Sequence, residues 1–132
     1  MTTNTQIRNA LYQMLASANL GEPIAWPGVP FDPPTGDGAL WVEVQSFPNQ
    51  GIDDGLSHAA SVAPQGIFQV SAFARQGGGE IAVSTLADQI AAAFPRGSII
   101  AGAVKVSRHP YQLDPIHSTD RIEIPVTITY SG

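Results

Sequence analysis

The sequence predicts an α+β fold, a largely antiparallel β-sheet with two helices packed on one face in the order α-β-β-β-α-β-β. Three observations carry this expectation. Two segments place apolar residues at helical spacing, three others alternate apolar and polar residues with period two, and the strands come in runs without a helix after each. A run of strands is joined by hairpins, which makes neighbours antiparallel and leaves both helices to cover a single face.

Over residues 4–19, Ile7, Ala10, Leu11, Met14, Leu15 and Ala18 share one helical face, with Asn4 or Thr5 as N-cap and Gly21 just past the end. Pro23-Ile24-Ala25-Trp26 is bracketed by prolines and fits an edge strand, because proline cannot donate to a ladder. A Pro/Gly-rich connection follows to Gly38. Leu40, Val42 and Val44 alternate with Trp41, Glu43 and Gln45, a strand with one buried and one wetter face. Residues 67–75 repeat the pattern, with Phe68, Val70, Ala72 and Ala74 against Ile67, Gln69, Ser71 and Phe73. After Gly77-Gly78-Gly79, residues 81–94 put Val83, Leu86, Ala87, Ile90 and Phe94 on one helical face, ended by Pro95 and Gly97. Residues 98–107 are β-branched and short, with a hairpin turn or a bulge at Ala101-Gly102-Ala103. The last strand runs through Ile122, Ile124, Val126, Ile128 and Tyr130, and Pro125 argues for an edge or a bulge.

The 132 residues fit one domain, 1–132, with enough chain to bury a single core. Charged residues make up 13% of it, where about 25% is usual. Neutral surface is cheaper to desolvate against a partner than charged surface, so the composition leans towards assembly. The net charge is −5, and the excess lies in residues 1–64, where Arg8 stands against Glu22, Asp32, Asp37, Glu43, Asp53 and Asp54. Scattered basic residues and a negative sign exclude a phosphate-tracking stripe, so no sequence-specific nucleic-acid partner is expected. Without a basic region followed by an apolar run, or an apolar stretch near 18 residues, neither a signal peptide nor a membrane span is expected, and a soluble cytoplasmic product is the default.

Pro48 to Gly66 shows no periodicity, and a loop of nearly twenty residues in a compact domain is commonly functional. It is expected to be an assembly arm, mobile until the subunit assembles, with Ile52, Asp53, Asp54 and Leu56 at a subunit or partner interface. If the helices cover Phe68 and Val70, the opposite sheet face carries Ile67 and Phe73. That face is too apolar to stand open, so these two residues join the expected interface.

Catalytic and metal motifs are absent. His58, His109 and His117 lack a His or carboxylate at helical metal-site spacing. Asp53-Asp54 lacks the alternating oxygen ligands and closing Glu of a calcium loop. The triple glycine has neither phosphate-loop pattern, and Glu80 puts a negative charge where a phosphate would bind. No Ser stands in a GxSxG elbow, and with no cysteine there is no thiolate chemistry. No catalytic residue, metal or cofactor is therefore expected; the enzyme alternative is a small cytoplasmic hydrolase using His117 with Asp114 or Asp120.

Several segments in order resemble the phage tail-terminator-like family. They are Ile24-Ala25-Trp26-Pro27 through Phe31-Asp32-Pro33-Pro34, Leu40-Trp41-Val42-Glu43-Val44, Gly66-Ile67-Phe68-Gln69-Val70, Leu86-Ala87-Asp88-Gln89-Ile90 and Phe94-Pro95-Arg96-Gly97. The resemblance implies a structural virion protein of a long-tailed bacteriophage, made in the host cytoplasm and carried in the tail. It implies a homo-oligomeric ring, typically a hexamer, that caps the tail tube, stops its growth and meets a head-completion or connector protein, with DNA passing through the ring. The alternatives within this class are a head-tail connector and a tail-tube protein. The acidic excess is expected to line much of the bore, where it keeps DNA off the wall.

Overall fold

The computed structural model describes the backbone of residues 3–54 and 61–132 and the side chains of residues 3–46 and 65–132. Helix α1 (Asn4–Ser17) opens on a capping box in which the Gln6 backbone N–H donates to the Thr3 hydroxyl and the Thr3 N–H donates to the Gln6 side chain. Thr3 is the cap in place of Asn4 or Thr5, because only Thr3 has a Gln three positions on to complete the reciprocal pair. Strands β1 (Ile24–Ala25), β2 (Leu40–Asp54) and β3 (Ser61–Arg75) precede helix α2 (Ile81–Ala92). After it come β4 (Ile99–Ala101), β5 (Val104–Val106), β6 (Tyr111–Gln112), β7 (Ile116–His117) and β8 (Arg121–Ser131). The order expected from the sequence holds, with the 98–107 segment forming the two strands β4 and β5 and the short strands β6 and β7 added before the last one.

The sheet runs β1-β2-β3-β8-β5-β4, with β6 and β7 also paired to β8. Only β1 lies parallel to its neighbour β2; the other pairings are antiparallel. Residues paired across strands share a face, so Val42, Ala72 and Ile124 line up on one side, and Trp41, Phe73 and Glu123 on the other. The first side is the core. Ile7, Leu11 and Leu15 of α1 and Val83, Leu86, Ala87 and Ile90 of α2 join Val42, Val44, Phe68, Val70, Ile124, Val126, Ile128 and Tyr130 in one buried cluster. Phe94, just past α2, packs edge-on against Phe68 with ring centroids 5.6 Å apart. Both helices therefore cover the same face, as the run of strands requires.

The last strand corrects the sequence reading. Although Pro125 argues for an edge, β8 is interior, paired with β3 on one side and with β5, β6 and β7 on the other. The reason is local. The Pro125 carbonyl accepts from the Leu113 N–H at 2.9 Å, so the position of its missing N–H points to that same side. Residues 113–115 there form no ladder, and the gap between β6 and β7 falls where proline has nothing to donate.

The stretch Pro48 to Gly66 is the second correction, since its backbone to Asp54 and from Ser61 forms two paired strands in place of an irregular loop. A register shift between Asn49 and Ile52 breaks the alternation, and β8 stops opposite Gln65, so the far part of the hairpin pairs only with itself. Residues 55–60, Leu56 among them, lie outside the described residues, and with them the expected mobility of that part of the arm.

Gly77-Gly78-Gly79 has a steric role. A Cβ on Gly78 would stand 2.6 Å from the Gly38 Cα, so the turn after β3 crosses the entry to β2 at backbone contact. Replacing Leu11 or Ile90, both fully buried, with Ala should cost about 2–5 kcal/mol in chemical denaturation. A loss below about 0.5 kcal/mol at both positions, the level of surface changes, would overturn this core.

Candidate assembly surface

The sheet face turned away from the helices is closed at one end and open along the rest. At the closed end Trp41 and Phe73, paired across β2 and β3, stack with centroids 5.1 Å apart and planes at 10°. The Trp41 indole N–H donates to Glu43 at 3.0 Å. Two guanidinium groups close over the indole, Arg75 at 5.2 Å and Arg121 at 5.3 Å from the ring centroid, and Arg121 also lies 6.0 Å from that of Phe73. The Arg75 Nε–H donates to the Pro34 carbonyl at 3.0 Å, which draws the proline-rich connection onto this face.

Two neighbouring cations repel, and Asp120 supplies the counter-charge. It accepts from Arg75 at 3.0 Å and from Arg121 at 3.3 Å. The hydrogen bond from Arg121 holds the Asp120 carboxyl below its ordinary range, helped by the charges of Arg121 and Arg75 and opposed by desolvation. Trp41 is consequently fully buried and Phe73 only 7% exposed. Phe73, expected at an interface because its face is too apolar to stand open, is thus already covered within the subunit: arginine side chains and a loop close a sheet end that has no helix over it.

Beyond this cluster the face carries Glu123 and, at the β5 edge, Lys105, and is otherwise neutral among the described residues. Pro125 and Thr127 are buried among their neighbours, and Ile67, Gln69 and Thr129 are half-buried. Tyr111 and Ile116, opposite Thr127 and Glu123, put half-exposed apolar groups on the same side at the β6–β7 edge. Ile67 thus lies on the open face as the alternation implied, whereas Tyr111 and Ile116 were missed. They belong to a segment containing Pro110 and Pro115 that shows no pattern, and only pairing with β8 assigns them a side.

Ile52, Asp53 and Asp54 fall on the far end of β2, paired with Ala63, Val62 and Ser61, so the structure sets them well apart from Phe73 along the same hairpin. On its outer side β2 pairs with β1 only at Val42 and Glu43; from Val44 to Asp54 that edge has no strand partner among the described residues. An unpaired edge is a template for another chain.

The remaining chemical groups do not converge. His117 Nε2 lies 2.7 Å from Glu80 Oε1, both side chains half-exposed, while Asp120 is engaged with the two arginines, so no His117–Asp120 pair forms. Among the described residues no three of His, Asp and Glu gather as a metal site requires. A groove of about 500 Å³ beside α1 is lined by Ala10, Gln13, Met14, Ser17, Ala18, Ala93 and Ile100, none of them an acid, base or strong nucleophile. Among the described residues no helix is long and apolar enough to cross a membrane.

The sequence model of the phage tail terminator protein family matches residues 6–130. The chain belongs to that family. It is accordingly a phage tail structural protein and a component of the virion tail. No curated protein matches it in sequence. One solved structure that carries no descriptive name has the same fold, with a TM-score of 0.74 at 20% identity over 99% of this chain and 96% of that one. The family match and the likeness in fold each cover nearly the whole chain.

The depressed Asp120 carboxyl has a definite sign. A carboxylate whose folded pKa is lowered stabilises the fold above its unfolded value, near 3.9, and that contribution is lost as pH falls through the lower folded value. Acid titration of stability, followed by near-ultraviolet circular dichroism of the tryptophans, should show a smaller acid loss in Asp120→Asn than in the wild type. Equal slopes below pH 4 would mean that Asp120 does not hold the arginine pair.

Proposed function

We propose that this chain is a tail terminator acting as one domain, which assembles into a homo-oligomeric ring, a hexamer, on the end of the tail tube. In this reading the ring stops tube growth and offers its other surface to a head-completion or connector protein. It works by binding, and catalyses nothing. Membership of the family over residues 6–130 carries the proposal. Three features support it: a largely neutral sheet face without a helix over it, a β2 edge unpaired among the described residues, and a hairpin that continues past the end of β8.

Closure of a ring needs two different patches on each subunit, joined head to tail by a rotation. The hairpin and the strands β4 to β7 lie on opposite sides of β8, which suits that requirement. A two-stranded hairpin alone in water is marginally stable, so this one gains most by lying on a neighbour. Ile52, Asp53, Asp54 and Leu56 then belong to the subunit contact, and Ile67 lies on the open face beside it. The net charge of −5 suits a ring that DNA must cross without adhering.

Phage particles made without this protein should show abnormally long tails unattached to heads by electron microscopy; normal tails would defeat the proposal. A second experiment isolates the arm. Replacing residues 49–65 with an Asn-Gly turn removes pairing that β8 does not share, apart from Gln65. Its thermal midpoint should therefore fall by less than about 5 °C, while binding to tail tubes, followed by co-sedimentation, is lost. Undiminished tube binding would remove the arm from the assembly surface.

A further inference from the structure

The chain has six basic residues, and the fold distributes them unevenly. Arg75 and Arg121 are engaged over Trp41 with Asp120. Three of the other four gather at one corner. The Gly97 N–H donates to the Val106 carbonyl at 2.8 Å and the Val106 N–H donates to the Ser98 carbonyl at 2.9 Å, which lays Arg96 beside β5. Lys105 and Arg108 flank Val106 in the chain. All three are exposed, and among the described residues none has a carboxylate within salt-bridge distance. Ile99 pairs with Lys105, shares its face and is 73% exposed. Ile99 and Lys105 thus share an exposed face at this corner, with Arg96 and Arg108 close by in the backbone and, among the described residues, no carboxylate paired with any of the three cations.

The register places this corner relative to the arm. Lys105 stands opposite Ser131, Ser131 opposite Gln65, and Gln65 opposite Asn49. The corner is therefore level with the base of the arm, on the other side of β8, and the arm continues past that row to Asp53 and Asp54. Within one chain the backbones of β2 and β5 are three strand spacings apart, about 14 Å. Both patches lie at one end of the sheet on opposite lateral sides, as a head-to-tail contact requires.

We propose that the arm of one copy docks on the Arg96–Ile99–Lys105–Arg108 corner of the next. The carboxylates of Asp53 and Asp54 neutralise the three cations, and Ile52 of the same arm adds an apolar contact to Ile99. The inference rests on the ring reading and names the two surfaces that close the ring. Complementary charge sets orientation and register, while apolar contact at the centre supplies affinity.

Charge exchange tests it in the full chain. The variant R96E/K105E/R108E and the variant D53K/D54K should each remain folded by circular dichroism, yet each sets like charge against like. Self-association, or assembly on tail tubes at low salt, should fall by at least about a hundredfold in either one. A chain carrying all five substitutions restores opposite charges and should assemble again, and a wild-type assembly should weaken as salt rises. If the wild type assembles and the three-residue variant assembles equally well, the docking surface is wrong while the ring stands. Failure of the five-substitution chain to recover, with both parent variants defective and all three folded, also overturns the docking. A wild type that stays monomeric at every concentration and ignores tail tubes overturns the ring itself and this inference with it.

Discussion

Strand β8 is the constraint on which the rest of the structure depends, because it must satisfy two ladders and one core face at once. Along one edge it pairs with β3 from Gln65 to Arg75; along the other it holds β5, β6 and β7 in succession. Its even-numbered residues from Ile122 to Tyr130 are all buried beneath the helices. Without β8 the β2–β3 hairpin and the β4–β5 hairpin would have no common neighbour, and both helices would lose the centre of the surface they cover. Its proline is tolerated because the chain beside it leaves the ladder where the proline lacks a donor. A C-terminal strand with this role also makes the fold non-local, since pairings such as Gln65 with Ser131 form only once the whole chain is present.

The two sheet faces are closed by different physics. Under the helices, aliphatic and aromatic side chains exclude water, and the stabilisation follows the apolar area removed from it. On the other face an aromatic pair is sealed at one end by two guanidinium groups and their shared carboxylate. This arrangement is compact, but it draws on two of the few cations the chain possesses. The open part of that face, the free edge of β2 and the basic corner beside β5 are left for contacts with other molecules. In a tail structural protein those contacts are the function, and the low charge content that makes its surface cheap to desolvate serves the same end.

The sequence by itself determined whatever depends on local periodicity. Both helices, the cores of β2, β3 and β8 and the buried residues from Ile7 to Tyr130 were legible, because one face of each element meets water and the other does not. The family was legible as well, through segments such as Gly66-Ile67-Phe68-Gln69-Val70 and Phe94-Pro95-Arg96-Gly97. Only the tertiary structure decided features that arise between distant segments. Pro125 could be placed inside the sheet only once Leu113 was seen beside it, and Phe73 was known to be covered only when Arg121, 48 positions away in the numbering, came over its ring. The hairpin beyond Asn49 carries no period-two pattern in its sequence, so its strands become visible only in their pairing with each other. The sides taken by Tyr111 and Ile116 depend on their register with β8, and the gathering of Arg96, Lys105 and Arg108 depends on hydrogen bonds that fold the end of α2 against β5. Periodicity reports how each segment meets solvent, whereas register and long-range pairing report which segments meet each other, and the assembly surface is made of the second kind of information.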